Sequence, residues 1–403
     1  MIATDVLIVG GGIIGVSLAR EMAGRYPGLT ITLLEKEAAV ACHASGRNSG
    51  VLHAGFYYSP DSLKARFTSE GNRLLTDYCL QHHLTINRCG KIVVARNEKE
   101  REAIFELKRR GDKNGVELEI IDENTLETLE PNARTCDKAL YSPNTSVVNP
   151  AEVVGHIVRN LQGNVTVLLH EKFVRREGGA TVRTNKRKIQ FRYFINSAGL
   201  YADKIAHQFG IGRKYTLIPF KGLYLEYKDK DLLRRHIYPV PNLNNPFLGV
   251  HFTITAAGKM KIGPTAIPAF WRENYQGLSN FSPKEFFEVM YRESGLFLAN
   301  AFHFRNLAFE EMKKYYRHYF IQQAAHLVKA IDTSQFGSYL NPGIRAQLLD
   351  TEAMKLVMDF VVEHGENSTH ILNAVSPAFT SAFSFSKFIV DEVEKKMMLK
   401  TKP

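Results

Sequence analysis

The sequence has few cysteines, a single tryptophan and no long apolar run. Its four cysteines show no C-x-x-C pair and no metal-ligand spacing, so we expect neither a disulfide scaffold nor a bound metal. No uninterrupted apolar run approaches the roughly 20 residues that a membrane-spanning helix needs. A strand pattern begins by Asp5, which leaves no room for a secretory signal. We therefore expect a cytoplasmic protein.

The charge balance is basic but not concentrated. The 403 residues carry 52 Lys and Arg against 41 Asp and Glu, a formal net charge of +11. This length and 44% hydrophobic residues predict two or three structural units with real cores. We find no nucleic-acid-binding motif and predict no nucleic-acid partner. Peripheral binding to the inner face of the cell membrane stays open.

The first fifty residues predict a nucleotide-binding unit. The run DVLIVGGGIIGVSLAREMAG is typical of a buried strand, a glycine turn and a helix, with Gly10, Gly12 and Gly15 in a G-x-G-x-x-G pattern. These glycines allow a tight turn, approach of a pyrophosphate to the backbone, and close helix packing. The next strand pattern ends at Glu35, 20 residues after Gly15, where a carboxylate can hold ribose hydroxyls. We predict dinucleotide binding here.

Two later segments favour FAD over NAD. Residues 39–71, AVACHASGRNSGVLHAGFYYSPDSLKARFTSEG, stand where a nicotinamide dehydrogenase would continue with further βα units. This segment resembles the one that wraps the flavin in the D-amino-acid-oxidase superfamily. RYFINSAGLYADKIA combines a strand pattern with a small-residue turn at Ala198-Gly199, and in that superfamily such a strand returns to the FAD-binding sheet. The resemblance implies FAD as the cofactor.

A closer resemblance extends along nearly the whole chain. Successive motifs are similar, in order, to those of the L-2-hydroxyglutarate dehydrogenase/oxidase family: GRNSGVLHAGFYY, IPFKGLYLEY, IYPVPNLNNPFLGVHFT, IGPTAIPAFWRENY, PGIRAQLLD and ILNAVSPAFTSAFSFSKFIVDEV. The resemblance implies an α/β (α+β overall) fold, in which a Rossmann-like FAD-binding domain is interleaved with a substrate domain built on an antiparallel sheet. We expect the FAD-binding domain at 1–90, 145–212 and 335–395, the substrate domain at 91–144 and 213–334, and a basic tail at 396–403.

The family resemblance also implies a reaction. It would be oxidation of L-2-hydroxyglutarate to 2-oxoglutarate, with hydride transfer from C2 to flavin N5 and electrons passed to a membrane carrier such as a quinone or to O2. AFWRENYQGLSN and LLDTEAMKLVMDF match only loosely, so another 2-hydroxy acid, glycerol 3-phosphate or a small amino acid stays open as the substrate. The alternative from a different class is a flavin-binding scaffold or redox sensor without turnover.

This chemistry needs a base for the hydroxyl proton, and two histidines are candidates. His53 lies in the flavin-wrapping segment, where the family motif has a histidine; its other interpretation is a hydrogen bond to a flavin carbonyl or the backbone. His251 lies in an alternating stretch with Phe247, Gly249 and Thr253, which predicts one strand face. His251 reaches the substrate if that face is turned toward it and is solvated if the face is outward.

The substrate carboxylates need fixed cations. Arg345 in PGIRAQ can bind a carboxylate through two parallel hydrogen bonds, and the wider superfamily has a carboxylate-binding arginine in a comparable motif; a surface ion pair is the alternative. Lys221 in PFKGLY is the candidate for the distal carboxylate of a dicarboxylate. The candidate hydrogen-bond donors are Tyr224 and Tyr57 or Tyr58.

The resemblance extends the cofactor site beyond the glycine turn. SPAFTSAFSFSKFIVDEV predicts a helix with Ser376 and Pro377 as N-cap and first residue, whose positive end can face the flavin pyrimidine ring. Some relatives link FAD covalently to a histidine near Cys42-His43, although a flavin contact or a plain loop is the favoured interpretation. The further cofactor contacts implied are Lys36, His43, Ser45, Arg47, Asn48, Ser49, Gly50, Val51, Ala198, Gly199, Gly343, Pro377, Ala378, Thr380 and Ser381.

One segment concentrates aromatic and basic residues. FHFRNLAFEEMKKYYRHYFIQQAAHLVKA, residues 302–330, overlaps a stretch, 305–331, that is predicted to be helical. Its simpler interpretation is an amphipathic helix with its aromatic side chains in a core. The alternative is a helix on a membrane surface or a partner, through which a dehydrogenase could reach a quinone.

Overall fold

The computed structural model describes residues 1–241, 249–300 and 304–398. Within these ranges the helices are α1 (Ile13–Arg25), α2 (Leu63–Gln81), α3 (Glu98–Lys113), α4 (Glu123–Leu129), α5 (Pro150–Arg159), α6 (Ala202–Gln208), α7 (Pro283–Ala299), α8 (Phe304–Lys313), α9 (Arg317–Ala325) and α10 (Ala378–Met397). The first strands are β1 (Ile2–Val9), β2 (Ile31–Leu34), β3 (Val51–Leu52), β4 (Ile86–Asn87), β5 (Lys91–Val94), β6 (Glu119–Asp122), β7 (Lys138–Ser142), β8 (Ser146–Val148), β9 (Val165–Leu168), β10 (Phe173–Arg176), β11 (Thr181–Thr184) and β12 (Lys188–Asn196). The remaining strands are β13 (Tyr215–Gly222), β14 (Leu225–Tyr227), β15 (His236–Pro239), β16 (His251–Ile254), β17 (Met260–Gly263), β18 (Ile267–Pro268), β19 (Phe336–Tyr339), β20 (Gly343–Asp350), β21 (Lys355–Leu356), β22 (Val361–His364) and β23 (Ser368–Asn373).

The chain divides into two compact units, each assembled from separated segments. The first unit contains residues 1–48, 150–219 and the chain from Arg345 onward. The second unit contains residues 49–149 and 220–344. No helix of the described residues combines the length and apolar character needed to cross a bilayer.

Four segments of the expected domains lie in the other unit, namely 49–90, 145–149, 213–219 and 335–344, and strand pairing accounts for the two longest. Residues 49–90 lie in the second unit, because β3 and β4 pair with β8 and because Asn72 on α2 donates to the backbone oxygen of Asn144. Residues 335–344 also belong there, since β19 pairs with β14. Both corrections arise from strand pairings that local sequence patterns do not specify.

The first unit is built on a predominantly parallel sheet. β1 lies between β12 and β2, β9 pairs with the far edge of β2, and all these pairings are parallel. Strands β10 and β11 add antiparallel pairs beyond β12, and β23 also pairs with β12. Helix α1 packs against α10 and α5. β1 is almost fully buried after its first residues, as expected for a strand covered on both faces.

The second unit is built on an eight-stranded sheet in the order β19-β14-β17-β16-β15-β5-β7-β6. All its pairs are antiparallel except β5 with β15. The predicted antiparallel substrate sheet is therefore confirmed. One face forms an apolar core with Phe320 and Ala324 of α9.

Three local predictions need correction. The pattern of residues 61–82 predicts a helix capped by Asp61, but Ser62 caps α2, because its side chain accepts a hydrogen bond from the Ala65 N–H. The last helix begins at Ala378, with Pro377 as an N-cap of ψ 38° and no side-chain cap from Ser376. The predicted helix at 305–331 is two helices, α8 and α9, separated by a turn. Phe247 lies outside the described residues, and the strand of His251 begins only at His251 itself.

Candidate active site

The glycine turn of the first unit joins β1 to α1 and is tightly packed. Gly10 has φ +111°, a conformation that L side chains rarely adopt. A Cβ at Gly15 would lie 2.0 Å from the Gly10 backbone oxygen, so α1 could not pack this closely with any larger residue. Both positions therefore require glycine, for the reasons that the fingerprint predicts.

The start of α1 has no side chain on its N-cap residue, and side chains from more distant residues accept from N–H groups of this turn. Gly12 is the N-cap residue and has no side chain to accept from the first turn. Ser45 Oγ accepts from the Ile13 N–H at 2.9 Å, and Glu35 Oε2 accepts from the Gly11 N–H at 2.8 Å. Glu35 thus lies beside the turn at the end of β2. This donor set fits the pyrophosphate and ribose of a dinucleotide.

The segment after β2 forms a polar network. Lys36 Nζ lies 2.9 Å from His43 Nε2. Both side chains contact the Glu37 carboxylate, and the distance from His43 Nε2 to Glu37 Oε1 is 2.9 Å. Burial raises the pKa of Glu37, but hydrogen bonds from Lys36 and His43 outweigh it and lower that pKa to about 2. Arg47 Nε donates to the Cys42 oxygen at 2.7 Å, and Asn48 Nδ2 donates to the Ser45 oxygen at 2.8 Å. These side chains fix the 42–48 loop.

A motif distant in sequence, the turn after β12, meets the glycine turn within the first unit. The Ser197 N–H donates to the Val9 oxygen at 2.9 Å, which brings the end of β12 beside β1. A Cβ at Gly10 would lie 3.1 Å from Ala198 Cα, and Gly199 has φ +54°. The structure therefore brings the predicted Ala198-Gly199 turn and the G-x-G-x-x-G turn together.

The remaining candidates of the first unit lie on two elements. Thr380 and Ser381 are buried in the first turn of α10, and the Ser381 N–H donates to the Pro377 oxygen at 3.0 Å. Ala378 is the first residue of that helix. Arg345 is partly exposed on β20. Each candidate stands at the start of its element, as the motifs predict.

In the second unit, His53 follows the short strand β3. Gly50 has φ +80°, its oxygen accepts from the Val148 N–H, and Ser49 Oγ accepts from the Val51 N–H at 3.3 Å. His53 keeps some accessible surface but lies deep among protein atoms. That burial, with the positive charge of Lys91, lowers the pKa of His53 to about 3. Its imidazole is therefore neutral at pH 7.

His251 lies on one face of β16 together with Thr253, as the alternation predicts. Its ring stacks on Tyr238 of β15, with centroids 3.6 Å apart and an interplanar angle of 15°. The register pairs Ile237 with Phe252, so Tyr238 and His251 are direct cross-strand neighbours. His251 is only partly exposed. It is therefore a packed histidine on the sheet face opposite the apolar core.

The other substrate candidates occupy three places in the second unit. Lys221 on β13 is half-buried, and its Nζ donates to Asn274 Oδ1 at 3.1 Å; burial lowers its pKa. Tyr224 is buried, with Lys261 Nζ 4.4 Å from its ring centroid. Burial raises the pKa of Tyr57 and of Tyr58 well above the ordinary value. Gly343 begins β20.

Sequence reasoning missed four residues on this sheet face: Lys91, His236, Tyr238 and Lys261. Lys91 pairs with His236 across β5 and β15, and Lys261 pairs with the expected Thr253 across β16 and β17. Burial lowers the pKa of Lys261 to about 8. The signal in the sequence was a lysine inside each of two short apolar strands, KIVV and MKIG.

Comparisons with known proteins agree with this geometry. The FAD dependent oxidoreductase family matches residues 5–391. The chain is 36% identical to the mitochondrial L-2-hydroxyglutarate dehydrogenase of Nematostella vectensis, over 98% of this chain and 91% of that protein. It is 32% identical to the L-2-hydroxyglutarate dehydrogenase of Escherichia coli K12, over 99% of this chain and 95% of that protein.

Solved structures show the same fold. A dithionite-reduced L-alpha-glycerophosphate oxidase from Mycoplasma pneumoniae, with FAD bound, superposes with a TM-score of 0.76 at 22% identity, covering 100% of this chain and 97% of that one. Glycine oxidase from Geobacillus kaustophilus superposes with a TM-score of 0.71 at 15% identity, covering 98% of this chain and 95% of that one. At these identities the likeness concerns the fold alone.

Proposed function

The chain belongs to the FAD-dependent oxidoreductase family, and from this premise we propose that it oxidises L-2-hydroxyglutarate to 2-oxoglutarate. The observation that carries the proposal is the near-complete match to L-2-hydroxyglutarate dehydrogenases from an animal and a bacterium, at 36% and 32% identity. The buried, cationic sheet face of the second unit agrees with an anionic substrate.

FAD, when bound, supplies the hydride acceptor. The glycine turn and the α1 N-terminus would hold its pyrophosphate, and Glu35 would hold ribose hydroxyls. The N-terminus of α10, with Thr380 and Ser381, would place partial positive charge near the flavin ring. The other proposed contacts are Lys36, His43, Ser45, Arg47, Asn48, Ser49, Gly50, Val51, Ala198, Gly199, Gly343, Pro377 and Ala378.

We assign the role of base to His53. A neutral imidazole has a ring nitrogen with a lone pair that can accept the C2 hydroxyl proton, and the lowered pKa keeps His53 neutral at pH 7. A bound dicarboxylate would raise that pKa, because negative charge stabilises the imidazolium. His251, stacked on Tyr238, would then shape the site rather than take the proton.

Arg345 is the proposed partner of the substrate carboxylate beside C2, since a guanidinium can fix both carboxylate oxygens. Lys221 is the candidate for the distal carboxylate, and its ammonium already donates to Asn274. Tyr57, Tyr58 and Tyr224 would complete the hydrogen bonding of the substrate.

The electron acceptor is proposed to be a quinone or O2. Exposed large apolar side chains concentrate on and around α7 and α8, among them Phe287 and Tyr291 at 70% and 72% exposure, Phe309 at 58% and Tyr316 at 74%. Such a patch can bind a membrane surface. We propose a cytoplasmic protein that binds the inner face of the membrane through this patch.

The test is anaerobic reduction of the purified flavoprotein. L-2-Hydroxyglutarate should bleach the oxidised flavin absorbance, while its D isomer, glycerol 3-phosphate and glycine should not. Reoxidation is then followed separately with a quinone and with air to identify the acceptor. Reduction by glycine or glycerol 3-phosphate in preference to L-2-hydroxyglutarate would reject the proposal, and no reduction by any substrate would favour a scaffold.

Matched variants locate the site. Arg345→Ala should raise KM for L-2-hydroxyglutarate, and Arg345→Lys should recover only part of the loss, because lysine lacks the two parallel donors. Equal KM values in wild type and Arg345→Ala would place the carboxylate elsewhere.

A further inference from the structure

Lys91 is a fully buried lysine without a counter-charge in the described part of the chain. Its Nζ has no hydrogen-bond partner there, and no ion pair is found. An unpaired buried ammonium is costly, because desolvation disfavours the charged form. Lys91 therefore gains no stabilisation from an ion pair among the described residues.

Three aromatic rings surround this ammonium. Lys91 Nζ lies 4.6 Å from the ring centroids of Phe56 and Tyr57 and 4.9 Å from that of Tyr238. The π faces of such rings attract a cation at these distances. We name Lys91 with these three rings the lysine cage. The cage explains how the charge is tolerated without a carboxylate.

The cage links two parts of the candidate site. Phe56 and Tyr57 follow His53 in the 53–58 segment, whose backbone is also held by Asn114 Nδ2 donating to the Gly55 oxygen at 3.0 Å. Tyr238 carries the stacked His251 ring on the sheet. Lys91 therefore contacts side chains from both the His53 segment and β15, whose Tyr238 packs against His251.

The ammonium also acts on His53 through space. Its charge is the second cause of the lowered pKa of His53, after burial, and the neighbouring His236 is the third. The described titratable groups on or beside the cage residues are His53, Tyr57, Tyr58, Lys64, Cys89, His236, Tyr238, His251 and Lys261. The carboxylate of Glu130 acts on Cys89 but is not among the causes of the lowered pKa of His53, so it does not cancel the effect of Lys91.

We propose that Lys91 is a positioning residue for the base: its caged ammonium holds the 53–58 segment against Tyr238 and keeps the His53 imidazole in the form that accepts a proton. The assignment rests on the proposed function in so far as His53 is the base. It predicts that loss of the charge changes the titration of His53 and not only the packing.

The kinetic test compares Lys91→Met with wild type in pH profiles of kcat/KM. Methionine fills a similar volume among aromatic rings without charge. The acid limb should move up by about one pH unit in Lys91→Met, because the positive charge that opposes protonation of His53 is gone. Lys91→Arg should keep the wild-type limb, and so should Lys99→Met, which removes an exposed lysine of the same unit. Coincident limbs in wild type and Lys91→Met would overturn the proposal.

A second measurement does not depend on turnover. Histidine side chains labelled with ¹⁵N are titrated by NMR in the FAD-bound protein, with His53→Gln assigning the signal. His53 should stay neutral to below pH 5 in wild type and should titrate at higher pH in Lys91→Met. A wild-type His53 that titrates near its ordinary value of about 6.5 would overturn the proposal even if the variant failed to fold. Lack of flavin reduction by L-2-hydroxyglutarate would reject the proposed function and leave this titration as the test of Lys91.

Discussion

The two faces of the eight-stranded sheet are both buried, yet they differ in chemistry. One row across β5, β15, β16 and β17 consists of apolar residues in the core: Ile92, Ile237, Phe252 and Ile262. The row one residue away along each strand is polar: Lys91, His236, Thr253 and Lys261. A step of one residue thus exchanges an apolar row for a polar one. The face of the polar row is not polar throughout, because Val93 and Tyr238 on the same face belong to a second apolar core.

The largest effect is expected beside the polar row, at His53. His53→Ala should lower kcat by ~10²–10⁴-fold, the range for loss of a general base, with little change in the thermal midpoint. Stopped-flow flavin reduction measures the rate, and His82→Ala, an exposed histidine of the same unit, is the control. A variant that keeps the wild-type kcat would place the base elsewhere.

On the apolar face the strongest effect should be on stability. Phe252→Ala should lower the free energy of unfolding by ~3–5 kcal/mol, because it leaves a cavity in a fully buried site. Chemical denaturation measures this loss. The kcat of the fraction that remains folded should be nearly that of wild type; a large fall in kcat with unchanged stability would contradict the division between the faces.

Removing the charge of Lys91 should raise the free energy of unfolding, whereas Phe252→Ala lowers it. Burial lowers the pKa of Lys91 from its ordinary value of 10.5 to about 7, so between these values the unfolded chain binds more protons and wild-type stability rises with pH. Lys91→Met should therefore be more stable than wild type at pH 7, by on the order of 2 kcal/mol. The difference should shrink as the pH approaches 10.

Thermal unfolding of both proteins from pH 6 to 10 checks this sign. The matched change to arginine should give no gain at neutral pH, because it keeps a buried charge. A Lys91→Met protein that is less stable than wild type at pH 7 would mean that the cage compensates the ammonium fully.

The smallest effect is expected next to Lys91 on the same strand. Ile92→Val should cost about 0.5–1.5 kcal/mol, the usual cost of removing one buried methyl group. Because no titratable group is changed, the loss should be the same from pH 6 to 10. A pH-dependent difference would show that the apolar row is coupled to the polar one.

Local patterns predicted the strand, glycine turn and helix at the start of the chain. Gly15 is required by its contact with Gly10 five residues away, whereas Gly10 is required by its positive φ and by the approach of Ser197 from the distant end of β12. The start of α2 at Ser62 and the split of α8 from α9 were missed, because two neighbouring residues can each cap a helix and because aromatic periodicity continues across a short turn.

The sequence by itself determined the nucleotide-binding turn, the fold class and the family, since each depends on residues adjacent in the chain or on motifs in a fixed order. Only the tertiary structure decided that residues 49–90 belong with the second unit and that Lys91 faces Tyr57, His236 and Tyr238. The physical reason is strand pairing. The register between distant strands selects which alternate residues share a face. The sequence of one strand does not specify which other strand pairs with it.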